Sequence, residues 1–389
     1  MKRIEGGICA VSGVRAAGAR EGKYGVAIIA ASGTAAGMFT TNKIRAAPLD
    51  LTAKNLTVSG GHLEGIIANS GSANAYTGIG GMADARATAR LLADFLNTDE
   101  KKIAVASTGV IGRRMNMELI AKLFDQARAK LRSSPEASLE AAKAIMTTDT
   151  KVKEIAIEYQ GVRVAGIVKG SGMIEPNLAT MLCFLYTDVD MSPSSLKDCL
   201  AEAVKDSFNM LTIDGDTSTN DIVLLTATGV KKCNPETFQQ VLGYVCVELA
   251  RMIARDGEGA GKYFETIVCG AKNENDARAA AKAVARSSLV KTAVYGSDPN
   301  WGRIIAAIGR SGAEVNPQLI SLSLDGSGYK VALVEKGVLV EGVLDQAKKI
   351  MEGNTIMIYV DLGMGKASAR SFGCDLTHGY VDINANYTT

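Results

Sequence analysis

Residues Lys169 to Cys183 constrain this chain more than any other stretch. Lys169-Gly-Ser-Gly-Met-Ile-Glu is glycine-rich and Pro176 blocks helix, whereas Met181-Leu-Cys-Phe-Leu-Tyr186 is apolar enough for a buried strand. The chain therefore leaves a loop and enters its core at a threonine, Thr180. A threonine hydroxyl is a weak nucleophile unless a base stands beside it, and its own α-amine supplies that base once the preceding peptide bond is cut. Such an amine has a pKa of roughly 7.7 to 8.0, so near neutral pH it takes the hydroxyl proton without a histidine. Here the bond to be cut is Ala179–Thr180.

Composition favours chemistry of this kind. His62 and His378 are the only histidines, which leaves little for a Ser-His-Asp triad or a histidine-rich metal site. Each reads as a surface or structural residue. The seven cysteines, Cys9 to Cys374, contain no CxxC and fit reduced core thiols in the cytoplasm. Cys183 is a rival nucleophile by position, but its place in an apolar run makes it core. A net charge of +2 gives no electrostatic case for nucleic acid or an anionic membrane. No apolar run reaches membrane-spanning length, and Met1-Lys-Arg-Ile-Glu-Gly-Gly has basic residues with no long apolar segment behind them, so the chain is expected to be soluble and unexported. Small molecules and copies of itself are the expected partners.

The periodicities predict mixed α and β structure in both halves. Val26–Ala31 and Ala36–Thr40 read as two strands split by a Ser-Gly turn, and Ile103–Ser107 as a third. A helix follows from Asn116 to Arg132, and another from Ser134 as N-cap and Pro135 as first residue to about Met146. Residues 155–159 and 162–167 form a hairpin turning at Gln160-Gly161. Ser192-Pro193 opens a helix with Leu196, Leu200, Val204 and Phe208 on one stripe. Further on, 235–256, 276–288 and 344–351 read as helices, whereas 290–295, 322–324, 330–334 and 355–362 read as strands. The segment Val381-Asp-Ile-Asn384 also alternates like a strand.

Several loops are open to two readings. Asn69-Ser-Gly-Ser-Ala-Asn-Ala75 is either a tight turn or the wall of a site. Ser107-Thr-Gly-Val-Ile-Gly112 is a simple strand-to-turn junction or a source of close-approaching N–H donors. Asp214-Gly-Asp-Thr-Ser-Thr-Asn-Asp221 lacks the distal glutamate of an EF-hand and reads better as an ordered turn before a buried strand. Trp301 reads as core packing, and Gly363-Met-Gly-Lys lacks Walker spacing.

Taken in order, Asn69–Ala75, Ser107–Gly112, Thr147-Thr-Asp-Thr150, Lys169-Gly170, Leu178-Ala-Thr-Met-Leu182, Asp214–Asp221, Gly257-Glu-Gly-Ala260, Gly296–Arg303 and Ile383–Thr389 resemble the ArgJ family of glutamate N-acetyltransferases (ornithine acetyltransferases). The resemblance spans nearly the whole chain. It implies an α+β fold of the DmpA/ArgJ type, with helices outside stacked β-sheets. It also implies self-cleavage into an α chain, 1–179, and a β chain, 180–389, which stay interleaved and assemble as an α2β2 heterotetramer. By the same resemblance Thr180 is the nucleophile, Thr108 and Gly109 form the oxyanion hole, and Thr147, Lys169, Thr180, Glu258, Asn384 and Thr389 touch substrate.

The activity implied is ping-pong transfer of acetyl from N2-acetyl-L-ornithine to L-glutamate in arginine biosynthesis, without metal or prosthetic group. Some members of the family also draw on acetyl-CoA, and no residue here decides between the two types. Two other readings compete. A β-peptidyl aminopeptidase of the same fold would use water as acceptor, but characteristically through serine; a non-catalytic binding protein would show no cleavage and no acyl-enzyme.

Overall fold

The fold, taken from a computed structural model, is described for residues 1–175 and 181–386. Two sheets form among these residues. The larger has nine strands: β1 (Lys2–Arg3), β2 (Arg15–Glu21), β3 (Tyr24–Phe39), β4 (His62–Ser70), β5 (Ile103–Ser107), β6 (Lys153–Tyr159), β7 (Val162–Lys169), β8 (Leu182–Val189) and β9 (Ile222–Lys231). Their order is β1-β6-β7-β8-β9-β3-β4-β5, with β2 also pairing β3. The smaller sheet holds β10 (Tyr263–Ala271), β11 (Ser321–Gly326), β12 (Tyr329–Glu335), β13 (Val338–Leu339), β14 (Thr355–Asp361) and β15 (Ala367–Cys374), ordered β13-β12-β11-β14-β10-β15.

Helices layer over both sheets: α1 (Ala47–Val58), α2 (Gly78–Leu96), α3 (Met117–Arg128), α4 (Pro135–Ile145), α5 (Pro193–Lys205), α6 (Pro235–Arg255), α7 (Glu274–Arg286), α8 (Ser288–Tyr295), α9 (Trp301–Gly309), α10 (Leu344–Met351) and α11 (His378–Asn386). Helices outside stacked sheets are the expected arrangement.

Strand β8 is apolar from Leu182 to Tyr186 because both its faces are covered. Leu182, Phe184 and Tyr186 belong to the same core cluster as the alanines of α4, whereas Cys183 and Leu185 belong to the cluster that holds the apolar faces of α5 and α6. Alternate side chains of a strand point to opposite faces, so an uninterrupted apolar run marks a central strand. Burying each large side chain contributes roughly 1.5–3 kcal/mol. Cys183 is thus core, and burial raises its thiol pKa well above the usual range. In sheet order β8 and β9 lie between β7 and β3, so strands from after residue 180 fill the middle of a sheet whose flanks come from before it.

The capped and hairpin elements form as expected. Ser134 accepts a hydrogen bond from Ala137 N at 3.2 Å. The β6–β7 hairpin turns at Gln160 (φ 49°) and Gly161 (φ 80°), both left-handed, as a tight two-residue turn requires.

Three expectations are corrected. Residues 26–39 lie in one strand, not two: the register of β3 against β4 shifts between Ala30 and Gly33, pairing with β4 resumes at Gly33 and Thr34, and from Thr34 to Phe39 the strand pairs β9. The Ser-Gly pair is therefore a bulge inside a strand, not a turn. Residues 290–295 are helical. Val290, Ala293 and Val294 are buried at helical spacing, and Ser287 caps the helix by accepting from Val290 N at 3.4 Å. Finally, 381–384 belongs to α11, where Val381 is 60% exposed. Four alternating residues are too few to separate a strand from a helix whose side chains are not in the core.

Candidate active site

A cavity of about 350 Å³ is lined by segments from both halves of the chain. Thr108 and Gly109 follow β5, Thr147 and Thr148 follow α4, and Lys169 ends β7; Gly172 and Met173 come next. The run from Asp214 to Asn220 leads into β9, Glu258 follows α6, and Tyr380 and Asn384 stand on α11. Asn42, Ala73 and Ile111 complete the wall. Thr108, Gly109, Thr147, Lys169, Glu258 and Asn384, named from widely separated motifs, thus meet in one place.

The turn after β5 is built against the loop Asn69–Ala75, which is a site wall. Asn69 accepts from Thr108 N through its carbonyl (3.0 Å) and from Ser107 Oγ through its side chain (2.6 Å). Gly109 has φ 126°, and a Cβ there would stand 2.4 Å from Gly71 C, so only glycine fits. Its neighbours' N–H groups are used, Thr108 by Asn69 O and Val110 by Gly71 O at 3.5 Å. The Gly109 N–H between them has no protein acceptor among the described residues. A donor left over beside a hydroxyl suits an oxygen that becomes negative.

Lys169 is buried, with Thr108 Oγ1 at 3.4 Å and Asp149 Oδ2 at 4.0 Å. Burial draws its ammonium below the ordinary lysine range, and the Asp149 charge opposes this. Burial would raise the Asp149 carboxyl, but Lys169 and Lys153, together with a hydrogen bond from Gly170 N, outweigh it and hold the group at about 2. The same carboxylate accepts from Thr147 N at 3.1 Å, which ties the Thr147 turn to the end of β7.

Opposite in charge to Lys169 is Glu258, whose Oε2 accepts from Asn384 Nδ2 at 2.9 Å. Its backbone N–H donates to Ser171 O at 2.8 Å, and Gly172 lies so close that a Cβ there would overlap the carboxylate at 2.1 Å. Asp214 accepts from Met173 N and Ile174 N at 2.6 and 2.8 Å and from Asp216 N at 3.2 Å. Burial raises its pKa against those bonds. Burial also raises the Tyr380 phenol, reinforced by the charges of Asp214 and Glu258. Asp214–Asp221 is the ordered turn expected before β9, yet it forms one side of the cavity as well. Asp214 and Asn220 stand in the Asp214–Asp221 motif, where the sequence assigns them no site role, and Tyr380 lacks any signal that separates it from ordinary helix residues; their position in the cavity marks all three.

Ala179, Thr180 and Thr389 lie outside the described residues. The described residues either side of the Ala179–Thr180 bond are both held by the chain entering β9: Glu175 N donates to Asp216 O at 2.7 Å, and Met181 O accepts from Ile222 N at 2.9 Å. His62, paired with Glu64 at 2.9 Å, and His378 do not line the cavity. Trp301 begins α9 and packs, partly buried, against the core.

A cavity with one buried cation, Lys169, at one wall and the acids Asp214, Asp216 and Glu258 at the others suits a small zwitterion, and its volume suits an amino acid. The ArgJ family's sequence model matches residues 11–389. The chain belongs to the ArgJ family. The glutamate N-acetyltransferase of Methanothermobacter thermautotrophicus is 51% identical over 399 residues, covering 100% of this chain and 99% of that protein. That of Methanosarcina acetivorans is 52% identical over 397 residues and covers 100% of each. The arginine biosynthesis bifunctional protein ArgJ of Archaeoglobus fulgidus is 47% identical, over 97% of this chain and 99% of the relative. Among solved structures, a chain of the bifunctional ArgJ protein of Bacillus halodurans is 39% identical with a TM-score of 0.50, over 52% of this chain and 98% of that one. Every described residue that the resemblance named for the ArgJ site lines the cavity.

Proposed function

We propose that this ArgJ-family chain is a glutamate N-acetyltransferase that moves acetyl from N2-acetyl-L-ornithine to L-glutamate through an acetyl ester on Thr180. The observation that carries the reading is the convergence of Thr108, Gly109, Thr147, Lys169, Glu258 and Asn384 on one amino-acid-sized cavity. The chain first cuts itself between Ala179 and Thr180, which frees the Thr180 α-amine. That a whole chain of the Bacillus halodurans protein matches only about half of this one is what a family member divided near its middle would give.

In the first half-reaction the neutral α-amine takes the Thr180 hydroxyl proton while Oγ attacks the acetyl carbonyl. Charge gathers on the carbonyl oxygen, where the Thr108 hydroxyl and the unused Gly109 N–H stabilise it. The amine then returns the proton to the departing N2 nitrogen, the C–N bond breaks, and ornithine leaves. In the second half-reaction the α-amine of glutamate attacks the ester by the same steps in reverse. The ester is more reactive than the amide it came from, so two moderate steps replace one difficult exchange.

Lys169 and Thr147 meet the substrate α-carboxylate, an ammonium being the natural partner of a carboxylate in a dry site. Glu258, with Asn384, accepts from the substrate amine, and Thr389 completes the contact. The working unit is an α2β2 heterotetramer in the cytoplasm; no helix among the described residues is long and apolar enough to cross a membrane.

Steady-state rates with acetylornithine plus glutamate, beside acetyl-CoA plus glutamate, test the activity and its donor. The expected result is parallel double-reciprocal lines with acetylornithine and a higher kcat/KM for it than for acetyl-CoA. Intersecting lines would rule out the ester route, and a better rate with acetyl-CoA would reverse the donor order. Thr180→Ala protein is expected to remain a single 389-residue chain.

A further inference from the structure

Behind the cavity wall lies a row of buried charges that does not itself line the cavity. Lys153 Nζ donates to Asp149 Oδ1 at 2.7 Å and to Asp256 Oδ2 at 2.5 Å, and all three side chains are at most 3% exposed. Asp256 in turn accepts from Thr150 N (3.1 Å), Lys151 N (3.2 Å) and the Thr150 hydroxyl. With Lys169 the row holds two carboxylates and two ammonium groups. Ion pairs this deep are costly to break, because the partner left behind is an uncompensated buried charge.

Asp149 is shared unequally by its two lysines. Lys153 makes the close contact, while Lys169 stays 4.0 Å away, outside hydrogen-bond range, and faces the cavity beside Thr108. A carboxylate with no other cation beside it would draw Lys169 into a direct pair, and that ammonium would then be lost to a ligand. We propose that Lys153 is a positioning residue that keeps Lys169 available to the substrate carboxylate by occupying Asp149, the internal carboxylate that competes for it. Lys153 touches no substrate. Through Asp256, two residues before Glu258, the same ammonium also links the supports of the two oppositely charged walls.

The proposal rests on the reading of Lys169 as the carboxylate ligand, and the experiment separates the two. Lys153→Met/Asp256→Asn removes one charge of each sign, so the row stays neutral, and leaves Asp149 with Lys169 as its only lysine. We expect KM for acetylornithine to rise at least fivefold, with kcat within twofold of wild type. N-acetyl-1,4-diaminobutane, which lacks the carboxylate, is expected to lose no more than twofold in kcat/KM. A second variant, Lys153→Gln, whose amide still donates to a carboxylate, guards against misfolding of the first and is expected to shift KM in the same direction. Both are compared with wild type by thermal melting.

Lys169→Met gives the reference. If it leaves KM for acetylornithine unchanged, the assignment of Lys169 fails and the role of Lys153 fails with it. If Lys169→Met raises KM but the Lys153 variants do not, or if they impair both donors equally, the positioning role alone is overturned.

Discussion

At the scale of single residues, the site depends on backbone groups that only certain side chains allow. Gly109 is the clearest case, because its left-handed backbone and its packing on Gly71 leave no room for a Cβ, and its N–H has no other acceptor among the described residues. Gly109→Ala should therefore displace the donor. Losing one oxyanion donor costs about 100-fold or more in kcat. Steady-state kinetics should show that fall with KM for acetylornithine little changed; activity within threefold of wild type would remove Gly109 from the oxyanion hole. Residues of this kind were legible only through the resemblance to the ArgJ family, since a Thr-Gly pair at the end of an apolar strand reads by itself as a simple strand-to-turn junction. The supports behind them were not. Asp149, Lys153 and Asp256 look like surface charges one at a time, and nothing short of the fold brings Asp256 beside Lys153.

At the scale of elements, what could be read ahead was whatever is fixed by local chemistry. The Ser134 cap, the Gln160-Gly161 turn and the helix at 344–351 formed as expected, since each is set by residues within a few positions. Two of the three failures were short apolar or alternating runs, 290–295 and 381–384, where strand and helix patterns coincide and tertiary contacts decide; the third was the bulge of β3, read as a turn. One element-scale feature bears directly on function. Strands β8 and β9 are hydrogen-bonded on one side to β7 and on the other to β3, so a cut before residue 180 divides the chain without dividing the sheet. The two products should co-elute in native size exclusion and part only in denaturant. Separation in plain buffer would contradict the interleaved arrangement.

At the scale of the whole molecule, the cavity sits where the two halves of the chain meet. Thr108, Thr147 and Lys169 come from before the expected cut, and Asp214, Glu258, Tyr380 and Asn384 from after it. Neither half holds both the buried cation and the acid, so a substrate with a carboxylate and an amine needs both. The class of fold was legible from mixed periodicities, but the pairing order of the strands was not, because long-range pairing leaves no local mark. The account turns on Thr180 as a carrier of acetyl. Purified protein is mixed with acetylornithine in the absence of glutamate, quenched in acid, and its chains weighed by intact mass spectrometry with fragmentation. The account predicts a chain beginning at Thr180 that is heavier by one acetyl group, about 42 Da, on that residue, and that loses the increment when glutamate is added before the quench. An uncut chain that turns over acetylornithine, or acetyl carried on any other residue, would contradict it.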